Sequence, residues 1–353
     1  MSWDWTRGYR QTFAFYRVDP STWLDAAPLT MVRSCKVTRS LSANLPESAS
    51  FEMDDQIGGE TYIRVYMDCE SFSTGEKVRE CLGTFLVPRP DADMDGKTIG
   101  YSCDGYSPLK ELDDDMPPVG YSTAAGADPV AEACRLASAN SRLAVSEATS
   151  GVRLSEPVTA DDSDSWLDYI RALAAKGGYR IAQDARGRML FVPDRDVTAL
   201  RPSWTYRDDG RSIMLPDVSD EWDMGDACTR VEVTYASDGS SMVGTAENGD
   251  ADSELSVPTR GRTVLERAKS DLDAPTQEQL DAEALAKLKE RSSIKRTISL
   301  KHAYTPTRPG DCIALDYRQH AFSARGRISK QEFACNTGLI VDEEITTTEV
   351  LFR

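Results

Sequence analysis

Residues 276–315 constrain the fold more than any other stretch, because the hydrophobic period changes there from helix to strand and the chain then turns back. Thr276 followed by Gln279 forms a capping box, in which a hydroxyl and an amide each satisfy an orphan N–H at a helix start. Leu280, Ala284 and Leu288 then recur on one face, while Glu278, Asp281 and Glu283 precede Lys287, Lys289 and Arg291, the charge order that a helix dipole favours. The helix is predicted to end near Ser292. Beyond it, Ile294, Ile298, Leu300, His302 and Tyr304 share one face and Lys295, Thr297, Ser299 and Lys301 the other, the alternation of a half-buried strand. Pro306 and Pro309 remove ladder donors and Gly310 accepts a positive φ, so 305–311 is a turn and 312–317 a returning strand.

The same alternation recurs upstream. Strands are predicted over 31–39, 49–53, 62–69, 77–87 and 98–103, making residues 29–106 a first antiparallel, barrel-like β-domain. Residues 107–210 change character to a helical, α+β insertion. Asp128 and Pro129 start one helix, and Asp162 or Ser163 caps another that carries Trp166, Ile170, Leu173 and Ala174 and stops at Gly177 and Gly178. A hairpin around 184–187 follows. Residues 211–353 form a second barrel-like β-domain, with an exposed loop over 237–253, a short helix over 263–270 and an inserted helix over 276–292. The fold class is therefore α+β, mainly β: two small antiparallel barrel-like β-domains with helical and α/β insertions.

At 353 residues the chain is long enough for two or three domains with cores of their own. Residues 1–28 are an aromatic lead-in (Trp3, Trp5, Tyr9, Phe13, Phe15, Tyr16) broken by Asp4, Arg7, Arg10 and Gln11. That pattern fits neither a signal peptide nor a membrane span, and synthesis and folding in a cytoplasm are expected. A formal charge of −17 argues against gripping nucleic acid, which needs Lys and Arg to displace counterions, yet it suits a conduit along which DNA passes without sticking.

Few residues point to chemistry. Eight cysteines are scattered without a C-x-x-C pair and only two histidines could join them, so buried free thiols are expected in place of a zinc site. Asp91, Asp93, Asp95 and Gly96 match the first half of a calcium loop, but Ser102 stands where the bidentate glutamate belongs, and an acidic turn is the plainer reading. His302, on the apolar face of its strand, reads as a core or interface histidine, and His320 lies near a turn. Acidic groups at 54–55, 113–115 and 161–164 supply carboxylates that a glycosidase could use, with no pair singled out. No nucleophile elbow, zinc helix or phosphate loop occurs, and neither catalytic residues nor cofactors are expected.

A β-domain closing near Gly105, Tyr106, Ser107, Pro108 and Leu109, a helical insertion with Gly177 and Gly178 before a hairpin, and a second β-domain with an inserted helix and the turn Pro309, Gly310, Asp311 together resemble the phage tail hub proteins. These include the N-terminal region of siphophage tail-associated tip proteins and the hubs of contractile tails. The resemblance implies a non-enzymatic structural hub of a phage or phage-like tail tip or baseplate. In that family, pseudo-symmetric β-domains let a homotrimer form a ring between a six-fold tube and a three-fold tip. It also implies a place in the virion tail tip after assembly in the bacterial host cytoplasm. Its partners would be a distal tail or tail-tube protein, a tape-measure protein, and fibre or receptor-binding tip proteins, with DNA passing transiently. The chain ends at Arg353, where tip members often continue into a peptidase-like or fibre module, so a hub without its own lytic domain is expected. Two other readings compete: a tail-associated cell-wall hydrolase using a carboxylate pair, and a carbohydrate-binding β-protein using exposed Trp3, Trp5 and Trp204.

Overall fold

Period-two alternation becomes strand along much of the chain in a computed structural model, which describes residues 3–223, 227–237, 240–270, 272, 275–291 and 293–350. The first eight strands are β1 (Tyr9–Val18), β2 (Asp25–Pro28), β3 (Val32–Ser40), β4 (Glu47–Met53), β5 (Thr61–Ser71), β6 (Lys77–Val87), β7 (Asp91–Asp95) and β8 (Thr98–Tyr106). They pair antiparallel in the order β3-β4-β8-β6-β5-β1-β2, with β7 on β8. Phe15, Val37, Phe51, Ile63 and Phe85, drawn from strands far apart in that order, share one buried cluster, so the sheet curls over a common core. Among the described residues no ladder closes it into a barrel.

Two segments upstream differ from the expectation. The lead-in holds β1, paired with β5 over its whole length from Tyr9 opposite Ser71 to Val18 opposite Tyr62, and its aromatics supply core. The acidic turn is a strand, β7, and the reversal comes after it at Gly96.

The insertion builds α1 (Lys110–Asp113), β9 (Ser122–Thr123), α2 (Pro129–Asn140), β10 (Val158–Thr159), α3 (Trp166–Lys176), β11 (Tyr179–Gln183), β12 (Met189–Pro193) and β13 (Trp204–Arg207). α2 and α3 pack through Val130, Ala133, Leu136, Ala137, Trp166, Ile170 and Leu173, which helical spacing places on facing sides. The cap of α3 is Ser165, whose hydroxyl accepts from the Asp168 N–H while the Asp168 carboxylate accepts from the Ser165 N–H; Asp162 and Ser163 lie in the turn before it. The β11–β12 turn lies on the outer face of β5 and β6: Arg64 donates to the Arg186 carbonyl at 3.3 Å and Thr84 to the Ala185 carbonyl at 3.1 Å. This cover explains why β5, expected to be half-buried, is buried on both faces.

α2 carries the first prediction. Asp128 accepts from the N–H groups of Val130 and Ala131 at 3.0 and 3.1 Å, and from those of Ser150 and Gly151 across the loop at 3.1 and 2.9 Å. Burial works against the charged carboxyl, but the N–H groups of Ala131, Ser150 and Gly151 outweigh it and hold its pKa down at about 2. Because an unfolded aspartate titrates near ~3.9, the folded value is depressed and this stabilisation is present above about pH 4. It is lost as pH falls toward 2. Asp128→Ala is expected to cost about 2 kcal/mol in urea unfolding at pH 7, and about half of that at pH 3; equal losses at both pH values would contradict the assignment.

By compactness the chain divides into Met1–Asp217 with Leu300–Glu343, and Val218–Ser299 with Glu344–Arg353. Strand β14 (Met214–Asp223) leads out of the first unit. In the second unit, β15 (Arg230–Ser237), β16 (Ser240–Glu247), α4 (Val257–Arg260), β17 (Leu265–Lys269) and α5 (Gln277–Arg291) precede β18 (Ser293–Ala303). The predicted loop over 237–253 thus contains β16, and the predicted helix over 263–270 is β17, which pairs parallel with β15. Thr276 and Gln279 form the expected capping box, and Leu280, Ala284 and Leu288 are fully buried against Val231 and Val233. Each leucine contributes roughly 1.5–3 kcal/mol by leaving water. The predicted helix end at Ser292 lies outside the described residues.

The last strands are β19 (Cys312–Tyr317), β20 (Phe322–Ala334) and β21 (Ile340–Val350). β20 pairs antiparallel with β3, Lys330 opposite Ser40 and Ala334 opposite Lys36, and brings Phe333 into the core of the first unit with Tyr304, Leu339 and Val341. β19 pairs with β20 and, in parallel, with β13. The alternation over 346–352 predicts a last strand, of which residues 351 and 352 lie outside the described residues. Among the described residues no helix is long and apolar enough to cross a membrane.

Candidate functional site

Two clusters of buried polar side chains in the first unit arise where a polar residue falls in the inward phase of a strand. His302 is one such residue, completely buried on β18. Its Nε2 lies 3.0 Å from the Tyr206 hydroxyl and 3.4 Å from Glu343 Oε2, and its Nδ1 lies 2.8 Å from the Ala303 carbonyl. Gln331 donates to Glu343 Oε2 at 2.7 Å and to Thr307 Oγ1 at 3.3 Å; Thr307 meets Thr305 at 2.9 Å, and Thr305 meets Tyr206 at 3.3 Å. Six side chains from β13, β18, the 305–307 turn, β20 and β21 therefore close a ring. Burial, and then the Glu343 charge, push the Tyr206 phenol well above its usual pKa, so it remains a hydrogen-bond donor. With every member enclosed, the ring pins five segments together, and His302 has a positioning role in the core.

The second cluster adjoins it through Gln331, which accepts from Arg39 Nη1 at 3.0 Å. Arg39 is 1% exposed, also donates to the Leu82 carbonyl, and lies 4.9 Å from the Phe333 ring centre. Glu47, equally enclosed, receives Arg308 and, at 3.4 Å, the Gln183 amide, whose oxygen accepts from Ser107. Burial, and then Arg308, weaken the hold of Arg39 on its proton.

The residues singled out from sequence are not brought together. Asp91, Asp93 and Asp95 are spread along one face of exposed β7, and among the described residues no group of three or more His, Cys, Asp or Glu could hold a metal ion. Asp113 and Asp114 both meet Lys110, at 2.9 and 2.6 Å, Asp54 meets Arg33 at 3.1 Å, and Asp164 accepts from the Asp161 N–H. These carboxylates serve local turns and ion pairs. All eight cysteines are free; burial raises Cys81 and Cys103 to about 11 and Cys69 to about 12, which keeps them thiols at neutral pH. Trp5 is buried, and Trp3 and Trp204 pack against the core, so none of the three is an open stacking platform. His320 is exposed, edge-on to Tyr317 at 4.8 Å.

The surface feature that stands out is the β7–β8 arm. β8 pairs with β4 only from Tyr101 onward, so the tip of the arm runs past the end of β4. Its two faces differ. Ala92 opposite Tyr101 and Met94 opposite Ile99 make an apolar face, whereas Asp91, Asp93 and Asp95 lie on the other. Tyr101 packs on the core, but Met94 is 76% and Ile99 51% exposed. Met94 and Ile99 thus leave the apolar face of the arm uncovered in the single chain. Strand β2, at one end of the sheet order, differs: it is four residues long and ends in Pro28, features that blunt an edge against pairing.

No family profile and no curated relative matches the sequence. Solved structures do. A tail protein from Neisseria meningitidis MC58 superposes with a TM-score of 0.64 over 97% of this chain and 98% of its own, at 13% identity. The 43 kDa tail protein of prophage MuSo2 from Shewanella oneidensis gives 0.66 over 95% and 98%, at 10% identity. A chain of the lidded Francisella PdpA–VgrG complex gives 0.59 over 96% of this chain and 53% of its own, at 9% identity. The chain therefore has the fold of phage tail proteins.

Proposed function

We propose that the chain is a structural hub of a phage or phage-like tail, three copies closing into a ring that joins the tail tube to the tip and passes DNA. The observation that carries this reading is the match to two tail proteins over nearly the whole of both chains, helical insertion and second unit included. A fold shared end to end is a shared scaffold. The hub acts by geometry, not by turnover.

The β7–β8 arm supplies the subunit contact in this reading. Its apolar face, Met94 and Ile99, seats on the neighbouring subunit, where leaving water stabilises the ring, and closed symmetry leaves no arm unpaired. Its acidic face, Asp91, Asp93 and Asp95, then adds to a chain already at −17, so that the channel wall repels the phosphate backbone. A reconstruction of the ring with a neutral or basic channel wall would contradict that part. Tail-tube, tape-measure and fibre or receptor-binding proteins are the partners on either side, and the assembled protein resides in the virion tail tip.

The contact is tested by the double variant Met94→Glu/Ile99→Glu. Light scattering is expected to give three times 38.9 kDa for the native chain and 38.9 kDa for the variant, with unchanged far-ultraviolet circular dichroism. A variant that keeps the native mass removes the arm from the interface.

A further inference from the structure

Two of the eight cysteines meet where an early and a late strand of the first unit pair. β20 runs antiparallel to β3, with Phe333 opposite Val37 and Ala334 opposite Lys36. The next step of that register sets Cys335 opposite Cys35, and the backbone keeps it: the Cys335 N–H donates to the Cys35 carbonyl at 2.8 Å. Opposite residues of an antiparallel ladder project from the same face of the sheet, and both thiols pack in the core cluster that holds Val37 and Phe333. Cys103 lies farther along the same row, beyond Phe51 of β4, which pairs with Cys35 on one side and with Cys103 on the other.

The two thiols differ in access. Cys35 is 3% exposed, whereas Cys335 is half-buried, just before the exposed residues 336–338. Burial, and then the adjacent Cys335 thiol, push the Cys35 thiol well above its usual pKa. Hydrogen-bonded partners in an antiparallel ladder have Cα atoms about 5.5 Å apart, inside the roughly 4.4–6.8 Å that disulfides span. Their Cβ atoms, about 5 Å apart, must close by about 1 Å for the bond to form. Cys335 can supply that movement because the ladder ends there: the Asn336 N–H already turns back to the Ala334 carbonyl at 2.9 Å.

We propose that Cys35 and Cys335 form a redox site, a dithiol that a small disulfide such as oxidised glutathione closes into a covalent staple between β3 and β20. The thiolate of half-buried Cys335 attacks one sulfur of the oxidant, which gives a mixed disulfide and releases one glutathione thiolate. The Cys35 sulfur then gives up its proton, attacks the Cys335 sulfur and expels the second glutathione. The chain loses two electrons and two protons, and the oxidant leaves as two thiols. The staple stays open among the reduced thiols of a cytoplasm and closes in an oxidising medium. It is independent of the hub reading.

The test uses the purified chain, reduced, freed of reductant and incubated with oxidised glutathione. After free thiols are trapped and the chain is digested, mass spectrometry is expected to find the peptides carrying Cys35 and Cys335 joined, lighter than their sum by two hydrogens. The oxidised chain is expected to melt about 5 °C above the reduced one, because the bond closes a long loop in the unfolded state, and dithiothreitol is expected to reverse the shift. Cys335→Ser is expected to remove both the linked peptide and the shift, while the mapping of the native chain stands without that variant. A glutathione adduct that persists on Cys335 with Cys35 still a free thiol, or a link from Cys35 to Cys103, would overturn the pairing. A linked chain that melts with the reduced one would overturn the staple.

Discussion

Gly244→Ala is expected to destabilise the second unit by about 3 kcal/mol, because no room exists for a single methyl group. Gly244 sits in β16 opposite Val233, directly under α5, and a Cβ there would lie 2.3 Å from both the carbonyl carbon and the oxygen of Leu280. Those are backbone atoms near the start of a helix whose Leu280, Ala284 and Leu288 are completely buried, so no side chain can swing aside. The helix must lift off the sheet and uncover the apolar surface that holds it there. Hydrogen exchange measures this most directly. Protection is expected to fall across 230–237, 240–247 and 277–291 while β3, β5 and β6 keep theirs. Unchanged protection over α5 would show that the helix does not rest on Gly244.

Glu47→Ala is expected to cost the first unit about 3–5 kcal/mol, the largest single loss proposed, since it leaves enclosed Arg39 and mostly buried Arg308 without their carboxylate. Glu47 is 4% exposed, accepts from Arg308 and Gln183, and lies 3.9 Å from Arg39. The penalty comes from the stranded charges more than from the lost bonds. Adding Arg308→Met to Glu47→Ala is therefore expected to recover part of the stability in urea unfolding. If the double variant were as unstable as the sum of its parts, the two side chains would act independently and the coupling would be absent.

Glu47 also shows what was legible in the sequence and what was not. Strands β3, β4, β5, β6 and β8, helix α2 and helix α5 could be read from period and caps, because their hydrophobic faces and capping residues are set locally. β7, β16 and β17 could not: β7 is short and rich in Asp, β16 opens on two serines and carries Gly244, and β17 is five residues of mostly charged side chains, so they are strands only because β8 and β15 offer ladders to pair with. The parallel pairing of β13 with β19 joins residues over a hundred positions apart, and no local pattern encodes it. The buried polar clusters did leave a signal. Arg39 follows Cys35 and Val37 in the inward phase of β3, Glu47 precedes Ala49, Phe51 and Met53 in that of β4, and Glu343 stands between Val341 and Ile345 in β21. A charge in the apolar phase of a strand requires an internal partner, although the alternation does not say which one. Exposed Met94 and Ile99 were hidden by the acidic residues around them, which drew attention to calcium and away from the apolar face of the same arm.

The hub reading is tested most directly by negative-stain class averages of the purified chain, alone and mixed with a tail-tube protein. The account predicts three-fold rings with an open centre, formed by the chain alone and retained on the tube. Compact monomers under both conditions would contradict it.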